Sequence, residues 1–349
     1  MIFTGRVPVV VAPMAGGPST PELAAAVSGA GGVGFLAGAL LSEEKLGEQI
    51  SRIRGLTSEP FGVNIFVPSE RRDLPLDEFR ERVAEVAGRH GAEPGPADWD
   101  DDSYPAKVRL LVEARVPVVS FTFGLPEAAT VDELHSVGSE VVITVTTADE
   151  ARQAARVGAD AVCVQGMEAG GHRGVFYDDP TEPGGGPLLG LLAAIRSVRD
   201  AVDLPIIAAG GLVHGADVAA VLTAGAVAAQ LGTAFLVCDE AGTQPVQRAE
   251  MADGQRQTAI TRAFSGRPAR GLVNRFMTGN PDAPAAYPQV NNLTTKPMRG
   301  AAGKAGDAEA ISMWAGQSYA HARPMPAAEL VAVLRREAQE ALRSVTDRL

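Results

Sequence analysis

Cysteine, tryptophan and tyrosine are scarce in this chain, and so is positive charge. Two Cys among 349 residues cannot staple a secreted fold of this size, which points to a reducing cytoplasm. Lys and Arg number 31 against 42 Asp and Glu, a formal charge of −11. That balance argues against a nucleic-acid or anionic-membrane surface, since both need clustered basic residues. The first ten residues carry one basic residue and no apolar core of signal-peptide length. Residues 23–41 hold no charge and approach the length of a membrane span. Five glycines within them break a helix in mid-span, so a buried helix followed by a buried strand is the reading adopted. There is no H-E-x-x-H, C-x-x-C, G-x-S-x-G or Walker loop, which disfavours metal-site, serine-hydrolase and P-loop chemistry.

Glycine, by contrast, is abundant, at 39 residues, and 46 % of the chain is hydrophobic. The chain can bury a large core and is not a disordered tail. The glycines follow no collagen period and form no Gly/Ser linker.

Short apolar runs alternate with amphipathic segments. The runs are residues 7–14, 33–38, 61–67, 116–124, 140–146, 161–166, 204–211 and 227–238. Most are continuously apolar, as parallel strands buried on both faces are. Helical patterns lie between most of them, at 21–28, 42–54, 147–157, 188–202 and 216–223. The pairs Gly29-Ala30, Gly158-Ala159 and Gly225-Ala226 each end a helical pattern and lead into a strand. Eight such strands predict a TIM-type (β/α)8 barrel over residues 1–240; a doubly wound open sheet is the runner-up. Residues 68–105 form an insertion after strand 3, helical over 76–90. Residues 241–349 form an appended region, irregular over 248–297 and ending in an amphipathic helix over 327–349, that closes on the barrel.

Gly29-Ala30-Gly31-Gly32-Val33-Gly34 fits G-x-G-x-x-G. The dinucleotide fingerprint needs a strand before it and a helix after it, and here the order is reversed. The segment reads instead as a helix stop with close backbone packing.

The most informative stretch runs from Ala161 to Gly174, an apolar strand entering Gln165-Gly166-Met167-Glu168-Ala169-Gly170-Gly171-His172. Barrel strand ends face the active site. Gln165 offers a donor and an acceptor to a planar heterocycle, and Gly170 and Gly171 admit a ligand close to the backbone. His172 is the one histidine framed by such a turn, and we read it as functional. His90 and His135 sit in polar helical patterns and read as solvated; His214 opens a helix, and His321 follows a segment able to line a pocket. Gly210-Gly211 and Gln230-Leu231-Gly232-Thr233 end the last two strands. Backbone N–H groups and a helix N-terminus there suit a phosphate without any lysine; tight βα turns are the alternative. Met14, after Ala12-Pro13, suits one face of a flat ring. Asn64 is an amide in an apolar strand, serving either a ligand or a core hydrogen bond. Residues 118–124 add hydroxyls, Ser120 among them, near another strand end. Cys163 and Cys238 read as small core residues.

Taken together, Ala12-Pro13-Met14-Ala15-Gly16, Asn64, Gly166-x-Glu168-Ala169-Gly170-Gly171-His172-x-Gly174, Ala209-Gly210-Gly211 and Gln230-Leu231-Gly232-Thr233 resemble the nitronate monooxygenase family, formerly called 2-nitropropane dioxygenase. The resemblance covers residues 5–240 and the Trp314-Ala-Gly-Gln317 stretch. It implies a barrel binding FMN without covalent attachment. It places Met14, Asn64, Gln165, Gly170, Gly171, Gly210, Gly211, Gln230, Leu231, Gly232 and Thr233 at the FMN and His172 as the catalytic residue. The family's Tyr and Lys pocket residues find no clear match here, and Ser120 and Tyr319 are taken instead as candidates for the substrate pocket. The resemblance also implies oxidation of alkyl nitronates, and of nitroalkanes, by O2 to a carbonyl compound and nitrite. The flavin enoyl-carrier-protein reductase shares the Glu-Ala-Gly-Gly-His turn; an NAD(P)H-dependent enzyme of that kind is the main rival. A non-catalytic FMN-binding barrel is the third reading.

Overall fold

The computed structural model describes residues 2–347, with only the backbone of Thr295 and Lys296. Its strands are β1 (Val9–Val11), β2 (Gly34–Ala37), β3 (Phe61–Phe66), β4 (Val118–Thr122), β5 (Glu140–Val145), β6 (Ala161–Gln165), the two-residue β7 (Gly171–His172), β8 (Ile206–Ala209), β9 (Ala228–Leu231), β10 (Thr258–Thr261) and β11 (Ala269–Leu272). Eight of these form one parallel sheet in the order β1–β9–β8–β6–β5–β4–β3–β2. A parallel bridge between Val10 and Val33, with Val11 N–H donating to Val33 O at 3.1 Å, closes β2 onto β1. The protein is a (β/α)8 barrel.

The first eight helices are α1 (Pro21–Gly29), α2 (Glu43–Leu56), α3 (Asp77–Gly88), α4 (Tyr104–Glu113), α5 (Ala128–Ser136), α6 (Ala148–Arg156), α7 (Leu191–Arg199) and α8 (Gly215–Thr223). Local signals set several starts. Thr20 and Ser42 cap α1 and α2, and Thr147 with Glu150 forms a capping box on α6. Gly34 explains the false dinucleotide motif: a Cβ there would lie 1.9 Å from Ala24 O, so α1 packs directly on β2.

Side chains alternate across each strand. The outward set, such as Val9, Val63, Val119 and Ile143, packs under the helices. The inward set begins apolar at the bottom with Val10, Phe35, Val118, Val142, Cys163 and Ile207. One step higher on the same faces stand Asn64, Ser120, Thr144, Gln165 and Gln230. The barrel is therefore sealed below and polar above.

The appended region adds α9 (Pro245–Asp253), α10 (Arg275–Thr278), α11 (Gln289–Thr294), α12 (Gly300–Lys304) and α13 (Ala327–Thr346). α13 is the amphipathic helix expected over 327–349, of which residues 348–349 lie outside the described ones. Its Leu330, Val331 and Leu334 are buried in the helix layer of the barrel core. The insertion and the appended region share a second core, in which Phe79 and Val83 of α3 meet Phe264, Phe276 and Leu293. That contact explains why His90, expected to be solvated, is only 12 % exposed: its Nε2 sits 3.0 Å from Asp307 Oδ2. The stretch expected to be irregular holds α9 to α11 and two strands. β11 runs antiparallel to both β10 and β7, so the chain after the barrel returns to grip the turn carrying His172. Among the described residues no helix is long and apolar enough to cross a membrane.

Candidate active site

A cavity of about 430 Å³ opens at the C-terminal ends of the strands, within the usual size range for ligand pockets. It brings together Met14, Asn64, Gln165, Gly170, Gly171 and His172 with Gly210, Gly211, Gln230, Gly232 and Thr233. Three expected residues do not line it. Leu231 points outward into the helix-packing core. Ser120, level with Asn64 on the neighbouring strand, is buried and accepts from the Asn64 amide. Tyr319 is buried in the core of the appended region, its hydroxyl donating to Arg256 O at 2.5 Å. His321 is exposed and also lies outside the lining.

The amides are oriented by main-chain partners. Asn64 Nδ2 donates to Ser120 O at 3.1 Å, Ser120 Oγ at 2.9 Å and Thr122 Oγ1 at 3.0 Å. Because Ser120 O only accepts, the orientation is fixed, and Asn64 turns its carbonyl oxygen to the cavity. The amide nitrogen serves the core, and Asn64 also lines the cavity. Gln165 is bound at both ends, Nε2 donating to His172 O at 2.9 Å and Oε1 accepting from Gly174 N–H at 2.8 Å. It braces the His172 turn from the barrel side. Gly170 is required by backbone contact, since a Cβ there would lie 2.4 Å from Gly316 N.

One helix terminus differs from expectation. The donors at the start of α8 are taken within the protein: Val213 and His214 N–H by Asp217, Gly215 N–H by Glu337, each at 2.9 Å. His214 Nδ1 accepts from Ala216 N–H, which makes His214 the cap of α8. The terminus that reaches the cavity is the short 3₁₀ turn Thr233–Phe235 after β9, and Thr233 Oγ1 accepts from Gly316 N–H at 2.9 Å.

At the other end His172 is ringed by aromatics. Its ring centroid lies 5.5 Å from Trp314, 5.6 Å from Phe123 and 6.1 Å from Tyr287. Arg267, stacked 3.9 Å over the Phe123 ring, and Arg299 stand nearby. Burial, then the charges of Arg267 and Arg299, pull the imidazole down to about 3, so it is neutral at physiological pH. Nε2 lies 2.9 Å from Ser265 Oγ, and that hydroxyl donates to Arg267 O at 3.1 Å. A hydroxyl has one hydrogen, so the arrangement that satisfies every group places the imidazole proton on Nε2. Nδ1 then holds a free lone pair. Burial raises the Tyr287 phenol, which stays protonated and lines the cavity.

The sequence profile of the nitronate monooxygenase family matches residues 2–337. The chain belongs to that family. It is 41 % identical over 344 residues to a nitronate monooxygenase from Pseudomonas aeruginosa, covering 94 % of this chain and 95 % of the relative. It is 39 % identical over 347 residues to one from Paraburkholderia phytofirmans, covering 96 % and 93 %. Among solved structures it is similar to a nitroalkane oxidase from Streptomyces ansochromogenes, at 47 % identity, TM-score 0.94 and 97 % of each chain. FabK from Thermotoga maritima is more distant, at 29 % identity and TM-score 0.75 over 98 % of this chain and 96 % of that one. As a member of the nitronate monooxygenase family, the protein is an oxidoreductase.

Sequence reasoning missed Phe66, Phe123, Ser265, Tyr287 and Arg299. One signal was available for Ser265 and Arg267, which share the short segment before β11; nothing in the sequence pairs that segment with a turn 93 residues earlier.

Proposed function

We propose that the cavity holds FMN and that, with O2, the protein oxidises alkyl nitronates, and the nitroalkanes that His172 deprotonates, to a carbonyl compound and nitrite. The donor set fits the cofactor. Pro13, Met14 and Ala15 offer an apolar wall for a ring, and Asn64 offers an acceptor to a ring N–H. Gly211, Gln230, Thr233 and Ser318 supply neutral donors to a phosphate, and no described Asp or Glu lines the cavity to repel it. When bound, FMN supplies the redox chemistry.

The protein's part is proton handling and exclusion of water. The observation that carries the reading is the His172–Ser265–Arg267 relay, because it leaves Nδ1 as a base. It favours one of two roles for His172: with its proton on the Ser265 side, the imidazole would accept an α-proton rather than donate to a nitronate oxygen. The aromatic ring around it keeps water from competing for that lone pair.

The test is a His172→Asn variant assayed with nitroethane and with ethyl nitronate, with FMN per chain measured after denaturation. The reading predicts loss of nitroethane turnover by about 10²–10⁴-fold, with nitronate turnover and FMN content kept. Unchanged nitroethane turnover at full FMN content would sink it.

A further inference from the structure

Arg299 is the one Lys or Arg among the described side chains that lines the cavity. It follows α11, and its Nη1 donates to Ser312 Oγ at 2.9 Å and its Nη2 to Asn291 Oδ1 at 3.0 Å. Both acceptors are neutral, and each Nη carries a second N–H. Among the described residues, buried Arg173, Arg267 and Arg270 also lack a carboxylate ion pair but do not line the cavity, whereas other arginines are paired. Arg262 pairs with Asp178, Arg256 with Glu250 and Glu309, and Arg323 with Glu337. Among the described residues no carboxylate pairs with Arg299. A guanidinium set in an enclosed pocket without a counter-charge is costly to the fold, and such uncompensated groups gather where a ligand supplies the missing charge. Burial pulls this one down to about 10, so it stays charged at neutral pH.

We propose that Arg299 is the charge-recognition residue for the substrate, its remaining Nη hydrogens taking the two oxygens of the nitro group. The proposal rests on the nitronate reading above. When His172 Nδ1 takes the α-proton, the C–H electron pair moves into a C=N bond. The charge passes to the nitro oxygens, and no electron leaves the substrate. A planar two-donor fork matches two oxygens on one nitrogen as it matches a carboxylate. It binds the nitronate more tightly than the neutral nitroalkane, so it stabilises the product of proton transfer as that product forms. It also compensates for a weak base: the substrate becomes more acidic where the imidazole is hard to protonate.

Nitrate is the probe, a planar oxyanion of the nitro group's shape that cannot donate electrons. It is titrated against the holoprotein as an inhibitor of ethyl nitronate turnover and as a thermal-shift ligand, with chloride at equal ionic strength as control. The expectation is competition with ethyl nitronate and a raised Tm. In Arg299→Gln, nitrate Kd and ethyl nitronate KM both weaken roughly 10- to 100-fold, with cofactor content unchanged; Arg299→Lys recovers part of the loss. Unchanged nitrate affinity in Arg299→Gln overturns the proposal, and so does weakening that tracks loss of cofactor, which would place Arg299 at the cofactor. Should the Gln variant not fold, absence of nitrate competition in the wild type overturns it alone. A wild type that makes no nitrite from ethyl nitronate, yet is shifted by nitrate through Arg299, would remove the functional reading and keep the anion site.

Discussion

His172 Nε2 and Ser265 Oγ lie 2.9 Å apart across 93 residues of sequence, and the hydroxyl passes its own hydrogen to Arg267 O. The contact sets which imidazole nitrogen is basic. It exists because β11 pairs with β7, matching Ala269 with His172. The barrel supplies the histidine, and the appended region supplies its orientation.

Removing the hydroxyl tests that division. Ser265→Ala leaves the imidazole free to move its proton between nitrogens. We expect kcat on nitroethane to fall roughly tenfold, about the worth of one hydrogen bond. Turnover of ethyl nitronate, which has already lost its proton, stays within about twofold. Equal losses on both substrates would mean that Ser265 acts on packing and not on the base.

The depressed His172 value sets the pH profile. An exposed imidazole loses half its base form near pH 6.5, but this one, at about 3, stays neutral well below that. The kcat/KM for nitroethane should therefore lack an acid limb near pH 6.5 and decline only toward pH 3. The sign for stability is the opposite of a stabilising His⁺. Below pH 6.5 the unfolded chain gains a proton that the folded site refuses, so folding weakens as pH falls through that window. An acid limb centred at 6–7, absent in His172→Asn, would contradict the burial described.

The insertion has a structural consequence of its own. Phe79 is buried against Phe276, 6.5 Å away, and Phe276 stacks on Phe264, which in turn meets Trp314 beside His172. Phe79→Ala should cost ~3–5 kcal/mol in urea unfolding and raise the KM for nitronate, because the aromatic wall loses its backing. Loss of stability with KM unchanged would show the two cores to be independent.

Much of the lower barrel was legible because its signals are local. Continuous apolar runs marked the strands, and Ser42 and Thr147 marked helix starts within four residues. The glycine turn at Gly170-Gly171-His172 announced itself for the same reason. Ser120 does not line the cavity because its hydroxyl is taken up by the Asn64 amide of the neighbouring strand, a partner 56 residues away that no local pattern shows. Tyr319 follows Trp314 closely, yet the 3₁₀ turn Tyr319–His321 sends its ring into the core of the appended region. Tyr287 and Arg299 sit in short segments with no period to read, and only the return of the chain over the barrel brings them to His172. His90 looked solvated because its partner, Asp307, is 217 residues away.

The most direct test of the account is aerobic turnover of ethyl nitronate by the purified, FMN-loaded protein, with nitrite and O2 followed together. The account predicts nitrite formed in step with O2 consumed, and no flavin bleaching on anaerobic mixing with NADH or NADPH. Absence of nitrite, together with rapid bleaching by a pyridine nucleotide, would contradict it.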